Sequence, residues 1–396
     1  MRYNTDMNNT AVKKRGPAAI FALCPLAHVL AFLGGLGIGA HLLTRRNTAL
    51  TRRLSAGFVQ PLHRRLALLT AKLPFSLAEW LYALVIGGTV VYIIYELVQF
   101  IRRGERGRRL YRLLMRLIAL CLCIYALFCL LWGTYYYGDD FVEKSGLQME
   151  EISAEDLELV TLYFAARVNE YAPLVPRDGS GCCASDRAEL LAKSPMLMRQ
   201  AGEKYLCLEG PEVPAKAMFF SKIMSLIDFT GFFCPFTGEA NVNADFPAAL
   251  FASTVAHELS HQRGVAKEQE ANFTAVLASL ENGDAEYGYS ACLLAYIHLQ
   301  NALASVKPEA VRMIAAGLAE GARCDLRASS EYWARYETPV QTVTDAVYEG
   351  FLQSYDQKLG MRSYGACVDL LVNYYRPAAA EYFGLEKEQE KPESFS

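Results

Sequence analysis

Histidine and tryptophan are scarce in this sequence, and acidic residues are scarce in its most apolar part. The 396 residues include 6 His and 3 Trp. Residues 1–135 carry 4 Asp and Glu against 18 Lys and Arg, whereas residues 136–396 carry 38 against 21. This split predicts a membrane anchor over residues 1–135, a water-exposed domain over residues 136–385 and a charged tail over residues 386–396.

Several common patterns are also absent. The 11 cysteines form no C-x-x-C pair, so a structural cysteine–zinc site is not expected. No internal repeat or low-complexity run occurs. The net charge of -3 lacks the basic balance of nucleic-acid-binding proteins, so we expect no nucleic-acid partner. Pairing of Cys182, Cys183, Cys207 or Cys234 stays open, and the sequence defines no oligomeric state.

Three apolar runs in the first part are long enough to cross a membrane. They cover about residues 17–43, 77–101 and 113–133. The first run follows Lys13-Lys14-Arg15 without a clear cleavage site, so it resembles an uncleaved signal anchor. Tyr135-Tyr136-Tyr137 closes the third run as an interfacial aromatic belt. We therefore predict three transmembrane helices in a multi-pass protein of the cell membrane.

Arginines indicate the orientation of these spans. Residues 102–109 contain five Arg, and short loops so rich in positive charge stay in the cytoplasm. With three spans, the domain after Tyr135 is then extracytoplasmic. Residues 50–72 combine arginines with apolar residues at helical spacing, which predicts an amphipathic helix that contacts anionic lipid. The apolar residues of this segment are Leu54, Phe58, Leu62, Leu66 and Leu69.

The polar domain is expected to be mainly α, with a small sheet before its central motif. Ala217–Phe220 and Gly231–Phe236 have strand-like composition, and Pro235 favours an edge position because proline cannot donate to a central ladder. An exposed sheet edge can hold an extended peptide. We predict a substrate edge strand in the next segment, at Ala240, Asn241, Val242 and Asn243; an ordinary hairpin packed on the core is the alternative.

The central motif is His257-Glu258-x-x-His261. Residues four apart lie one above the other on a helix, so both imidazoles can reach one ion. Glu258 can then reach a water bound to that ion, which is the zinc-peptidase arrangement of two ligands and a general base. Gly264 supplies a C-terminal stop for the helix.

A catalytic zinc commonly takes a third protein ligand. The metzincin pattern fails here because Lys267 stands where a third His is needed, and an ammonium has no lone pair. The gluzincin pattern takes a glutamate from the following helix, and the candidates are Glu268 and Glu270. We favour Glu268 because it stands four residues before Asn272, which would orient a ligating His. Glu270 is the alternative.

Three sequence blocks carry a family resemblance: residues 238–243, 257–264 and 268–273. Behind a three-span anchor, and together with residues 73–79 and 361–365, they resemble the domain-of-unknown-function 3810 family of bacterial membrane proteins. The third block is also similar to the Glu-x-Glu-Ala-Asp block of membrane zinc peptidases related to the CAAX-processing enzymes, with Asn272 in place of their Asp. The resemblance implies a gluzincin-like HExxH α+β domain, that is, a zincin-like fold.

These patterns predict a membrane-anchored zinc metallopeptidase that acts on a peptide or protein substrate. Glu258 would take the proton of the attacking water, and the oxyanion would be stabilised by zinc and a hydrogen-bond donor. His298, Tyr364 and Tyr374 are candidate donors. Two alternatives stay open: a non-catalytic membrane sensor or scaffold that retains the fold, and a zinc hydrolase acting on a non-peptide envelope substrate.

Overall fold

The computed structural model describes residues 16–337 and 364–385, together with Thr342, Ala346 and Gly350. The chain divides into two compact units. One contains the residues up to Thr44 and Ala83–Leu130, and the other contains Arg45–Tyr82 and everything after Leu130. This division differs from the predicted boundary at residue 135, because residues 45–82 group with the polar domain. The fold is mainly helical, with a small mixed sheet.

The first unit contains all or most of three helices that are each long and apolar enough to cross a membrane. They are α2 (Pro25–Thr44), α5 (Leu77–Arg102) and α6 (Arg106–Leu131), and a short α1 (Pro17–Phe21) precedes them. Among the described residues, this confirms the predicted number of helices that are candidates for membrane spans. The first run is divided because Pro25 lacks an N–H and therefore starts a new helix. Gly34 lets α2 approach α6 closely, since a Cβ there would lie 2.9 Å from the Leu122 backbone.

The predicted amphipathic segment begins the second unit as α3 (Thr48–Leu54), a π-helical turn (Ser55–Val59) and α4 (Gln60–Thr70). One face of α4 packs on protein: a Cβ at Gly238 would lie 2.8 Å from the Ala67 nitrogen and from the His63 carbonyl oxygen. The same face buries Thr70, whereas Leu69 is exposed. Lipid contact by the exposed face stays a prediction.

The other helices of the second unit surround a core in which the central helices pack on one another. A capping box between Ser153 and Asp156, anticipated from the sequence, starts an 18-residue helix at Ala154. The helices are α7 (Phe141–Ser145), α8 (Ala154–Tyr171), α9 (Arg187–Lys193), α10 (Arg199–Lys204), α11 (Ser221–Leu226), α12 (Phe251–Gln262), α13 (Glu268–Asn282), α14 (Ala285–Ala304), α15 (Pro308–Ala316), α16 (Glu320–Ala334) and α17 (Tyr364–Tyr382).

The sheet has three strands, β1 (Lys216–Ala217), β2 (Gly231–Cys234) and β3 (Glu239–Val242), in the order β1-β3-β2. β3 pairs with β1 in parallel and with β2 in antiparallel fashion. The prediction of an edge strand at Ala240, Asn241, Val242 and Asn243 is therefore wrong. These four residues are buried, and both sides of β3 are already paired. The edge strand next to Pro235 is β2.

A disulfide joins Cys182 to Cys324 across a sequence separation of 142 residues. It connects the segment before α9 to α16. The neighbouring Cys183 is a free thiol, and its backbone N–H donates to Asp325. Sequence reasoning left the pairing open, because no spacing of cysteines specifies a bridge between residues so far apart.

Candidate metal centre

α12 carries the HExxH motif on a helix with a buried apolar back. Phe251, Val255 and Leu259 recur at helical spacing and are almost completely buried. His257 and His261 therefore lie together on another face, with their ring centroids 4.6 Å apart. The motif is held by the core of the second unit, which gives both imidazoles a fixed position.

A tight turn brings the third candidate ligand back to these imidazoles. Gly264 has a φ of 89°, which favours glycine, and a Cβ at this position would lie 2.8 Å from the Tyr135 ring. After this turn α13 begins at Glu268. One Glu268 carboxylate oxygen lies 3.2 Å from His257 Nε2, and the other lies 3.6 Å from His261 Nε2.

The three side chains fit a zinc ion. One ligand atom from each of His257, His261 and Glu268 lies within 4.8 Å of the other two. Tetrahedral zinc with ligands at about 2.1 Å requires ligand atoms about 3.4 Å apart, close to both measured contacts. Although burial opposes it, the imidazoles hold the pKa of Glu268 well below its usual range. Two nitrogens and a carboxylate are also the donor set of known zinc hydrolases.

The second nitrogen of each imidazole has its own acceptor. His257 Nδ1 lies 2.8 Å from the Asn272 side-chain oxygen, and His261 Nδ1 lies 2.6 Å from the Val265 carbonyl oxygen. An Nδ1–H donated to each oxygen fixes the tautomer and leaves the Nε2 lone pair directed at the centre. Asn272 therefore takes the position that the sequence predicted for it.

Glu270, the alternative ligand, faces elsewhere. Its carboxylate accepts the N–H of Phe141 at 3.0 Å, at the start of α7. Burial, with a contribution from Asp140, raises the pKa of Glu270 to about 7. Positions two apart on a helix point about 200° apart, so Glu268 and Glu270 cannot serve the same ion. The structure brings Glu268, and not Glu270, to the imidazoles.

Glu258 is buried beside the imidazoles and lies against the edge strand. Its Oε2 has no hydrogen-bond partner within the described part of the chain, and a Cβ at Gly231 would lie 2.5 Å from its Oε1. Burial raises the pKa of Glu258 to about 7, although the imidazoles oppose this. An unsatisfied buried carboxyl is costly, so such a group is a candidate for a functional role.

Aromatic side chains that sequence reasoning assigned to the membrane interface line the same site. The Trp132 ring lies edge-on to His261, with centroids 5.6 Å apart, and Trp132 Nε1 donates to the Tyr136 hydroxyl at 3.2 Å. Burial raises the pKa of that hydroxyl, and the nearby Glu268 raises it further. Tyr136 is thus a hydroxyl close to the candidate ligands. No local pattern signals this, because the three tyrosines directly follow an apolar span.

The three predicted oxyanion donors have different outcomes. His298 is buried near His257, and burial and that neighbour lower its pKa to about 4. The Tyr374 hydroxyl accepts from Lys204, which also pairs with Glu281. Glu281 lies about 20 Å along α13 from the first residue of that helix, so this hydrogen-bond network links Tyr374 to the far end of α13, and its role as a donor stays a prediction. Tyr364 begins α17, but its side chain lies outside the described residues.

Comparison with known proteins gives one family match. The family described as "Protein of unknown function (DUF3810)" matches residues 55–372, which include both candidate imidazoles and Glu268. No curated protein and no solved structure matches the chain. Since the match covers well over half of the sequence, the chain belongs to the DUF3810 family.

Proposed function

We propose that this chain is a membrane-anchored zinc metallopeptidase. The observation that carries the proposal is one arrangement: His257, His261 and Glu268 converge, and Glu258 lies on the same turn of α12 without a hydrogen-bond partner among the described residues. A purely structural metal site does not need a buried glutamate with a free oxygen. Zinc, when bound, would lower the pKa of a coordinated water and polarise a substrate carbonyl.

Each residue of the chain then has a defined task. His257, His261 and Glu268 would hold the metal, while Asn272 and the Val265 carbonyl keep the imidazoles oriented. Glu258 would accept the proton of the attacking water and deliver it to the leaving amine. His298 and Tyr136 are the candidates for a donor to the oxyanion, since both lie near the candidate ligands.

The outer edge of β2 is the candidate site for an extended peptide. β2 and β3 form an antiparallel ladder in which the Asn243 N–H donates to the Thr230 carbonyl oxygen. Hydrogen-bonded positions alternate along such a ladder, so Phe232 and Cys234 bond to β3 whereas Gly231 and Phe233 do not. The peptide groups of Gly231 and Phe233 therefore face away from β3. Gly231 also lies against Glu258. A peptide added to this edge by main-chain hydrogen bonds would run beside the candidate general base.

The disulfide supports an extracytoplasmic position for the domain. Disulfides form and persist in oxidising compartments and are rare in the cytoplasm. The Cys182–Cys324 bond lies in the second unit, and the Arg-rich residues 102–109 favour a cytoplasmic loop between the last two spans. Both features favour catalysis on the outer side of the membrane.

The test uses the full chain purified in detergent. Wild type, Glu258→Gln and the exposed control Glu320→Gln are compared for zinc content by elemental analysis and for cleavage of a broad peptide library. We expect all three to hold zinc, and only Glu258→Gln to lose cleavage. His261→Ala is expected to lose the metal.

Two results would contradict the proposal. A wild-type chain without zinc would remove the metal centre. A wild-type chain that holds zinc but cleaves no peptide would remove the peptidase, and fragments of lipid or peptidoglycan would then be tested for the envelope-hydrolase alternative. Inactivity on all of them would favour the sensor or scaffold.

A further inference from the structure

Three exposed apolar side chains stand on or just before α11 in the second unit. Phe219, Ile223 and Leu226 are 80%, 55% and 46% exposed, and we call them the apolar ridge. Ile223 and Leu226 lie three residues apart on α11, so they share one face, while the opposite face of α11 buries Met224 and Ser225. Exposure of such a group of apolar side chains to water is energetically unfavourable.

The apolar ridge is tied to the first turn of α5, a candidate membrane span. The buried Glu79 carboxylate accepts the backbone N–H groups of Phe219 and Phe220. The Trp80 ring packs edge-on against Phe220, with centroids 6.2 Å apart. Glu79 and Trp80 belong to the same compact unit as the apolar ridge. The segment is therefore fixed at the point where α5 begins.

The start of a transmembrane helix lies at the boundary between headgroups and acyl chains. Trp80, which is half-exposed in this first turn, is a residue type enriched at that boundary. Lys222 is exposed next to Ile223, where its ammonium can reach lipid phosphates while the stem lies along apolar surface. The charge of Lys222, the ring of Trp80 and the position at the start of α5 thus all favour lipid as the partner of the apolar ridge.

We propose that the apolar ridge inserts into the outer boundary of the bilayer that α5 crosses, as a second membrane attachment of the polar domain. The occupant is lipid acyl chain, with Lys222 at the phosphate level. This attachment fixes the distance between the membrane surface and the edge strand β2, because Tyr82 of α5 packs on Phe232 at 5.7 Å between centroids.

A consequence for the substrate rests on the proposed function. Since β2 runs beside Glu258 and also beside the first turns of α5, an extended peptide on that edge lies close to the bilayer surface. The substrate class is then a segment of a membrane-anchored protein that leaves the bilayer. A soluble peptide of the same sequence would lack the second point of attachment.

Insertion is tested by fluorescence with the full chain reconstituted in phosphatidylcholine vesicles, with or without bromine on the acyl chains. Ile223→Trp is compared with Met313→Trp, which replaces an exposed apolar side chain of α15 that follows the charged residues Glu309 and Arg312. After subtraction of the wild-type signal, we expect the emission of Ile223→Trp to shift to shorter wavelength and to be lost with brominated lipid. The emission of Met313→Trp should do neither.

Quenching of Ile223→Trp no greater than that of Met313→Trp would overturn the proposal. A shift to shorter wavelength without quenching by bromine would also overturn it, because a protein surface would then cover the apolar ridge. These readouts do not depend on catalysis.

The substrate class is tested with the double variant Phe219→Glu, Ile223→Glu. This variant should reduce cleavage of a library peptide on a lipid tail more than cleavage of the free peptide, at unchanged zinc content. Equal losses would contradict that consequence alone.

Discussion

The Asn272 side-chain oxygen is the hydrogen-bond acceptor for His257 Nδ1, and the Val265 carbonyl oxygen is the acceptor for His261 Nδ1. The difference is that Asn272 can be changed without altering the backbone. An amide oxygen is a weaker acceptor than a carboxylate, yet it fixes the same tautomer. The electrostatics of the site therefore rest on Glu268 as the nearest carboxylate to both imidazoles.

Removal of this acceptor should weaken the metal site. We expect Asn272→Ala to lower the zinc affinity by about 10–100-fold, the usual effect of losing an outer partner of a ligating His. The measurement is a competition titration with a chromophoric chelator. Asn282→Ala, at the other end of α13, serves as the control and should bind zinc as the wild type does. Equal affinity in both variants would show that Asn272 does not orient the ligand.

Glu258 contrasts with Glu270, although burial raises the pKa of both carboxyl groups to about 7. Glu270 accepts a backbone N–H and supports the start of α7, whereas Glu258 keeps one oxygen without a partner among the described residues. The pKa alone would not distinguish the two. Their contacts assign a structural task to Glu270 and leave Glu258 available for chemistry.

At the scale of elements, the turn between α12 and α13 decides whether three ligands meet. Gly264 occupies this turn with a positive φ and with the Tyr135 ring in contact. Gly283, which ends α13 with a φ of 77°, has open space around it. The two glycines thus share the backbone requirement and differ in the space available for a side chain.

This pair gives a matched prediction for stability. Gly283→Ala should cost roughly 1 kcal/mol of backbone strain, whereas Gly264→Ala adds a steric clash and should cost roughly 3 kcal/mol. Thermal unfolding of the two variants in detergent measures the difference. Gly264→Ala should also lose zinc, because the turn sets the position of Glu268. Equal melting temperatures and intact zinc in both variants would contradict the role assigned to this turn.

The elements that could be predicted are those with local signals. The three apolar helices follow from runs of about 20 residues, and the motif helix follows from four-residue spacing. The central position of β3 could not be predicted, because its partner β1 has only two residues and lies far away in sequence. The amphipathic face of α4 was visible, but the pattern cannot tell a protein surface from lipid.

The site shows the same division between local and distant information. His257, Glu258 and His261 stand in one motif, and Glu268 could be preferred over Glu270 from the spacing to Asn272. Trp132 and Tyr136 were missed, since the contact of Trp132 with His261 and the hydrogen bond that links Tyr136 to Trp132 depend on how the segment after α6 packs beside α12. Such contacts leave no periodic signal in the sequence.

At the scale of the whole molecule, the Cys182–Cys324 disulfide favours an oxidising compartment for the second unit. Cys182–Cys324 closes a long loop between the segment before α9 and α16. Chain-entropy reasoning for such a loop gives a stabilisation of about 4–5 kcal/mol. The neighbouring free thiol of Cys183 provides a matched control at almost the same place.

We expect Cys182→Ser to lower the free energy of unfolding by several kcal/mol, and Cys183→Ser to change it little. Thiol labelling of the denatured chain, taken directly from cells, measures whether the bond forms in vivo. A domain in the cytoplasm would yield both Cys182 and Cys324 as free thiols. That result would contradict the outer location.

The proposed metal centre is a zinc ion held by two imidazoles and one carboxylate. X-ray absorption at the zinc edge of the purified full chain tests it most directly. We expect zinc with nitrogen and oxygen ligands at about 2.0–2.1 Å, no sulfur, and loss of the signal in His261→Ala. A chain without zinc, zinc ligated by sulfur, or an unchanged spectrum in His261→Ala would contradict it.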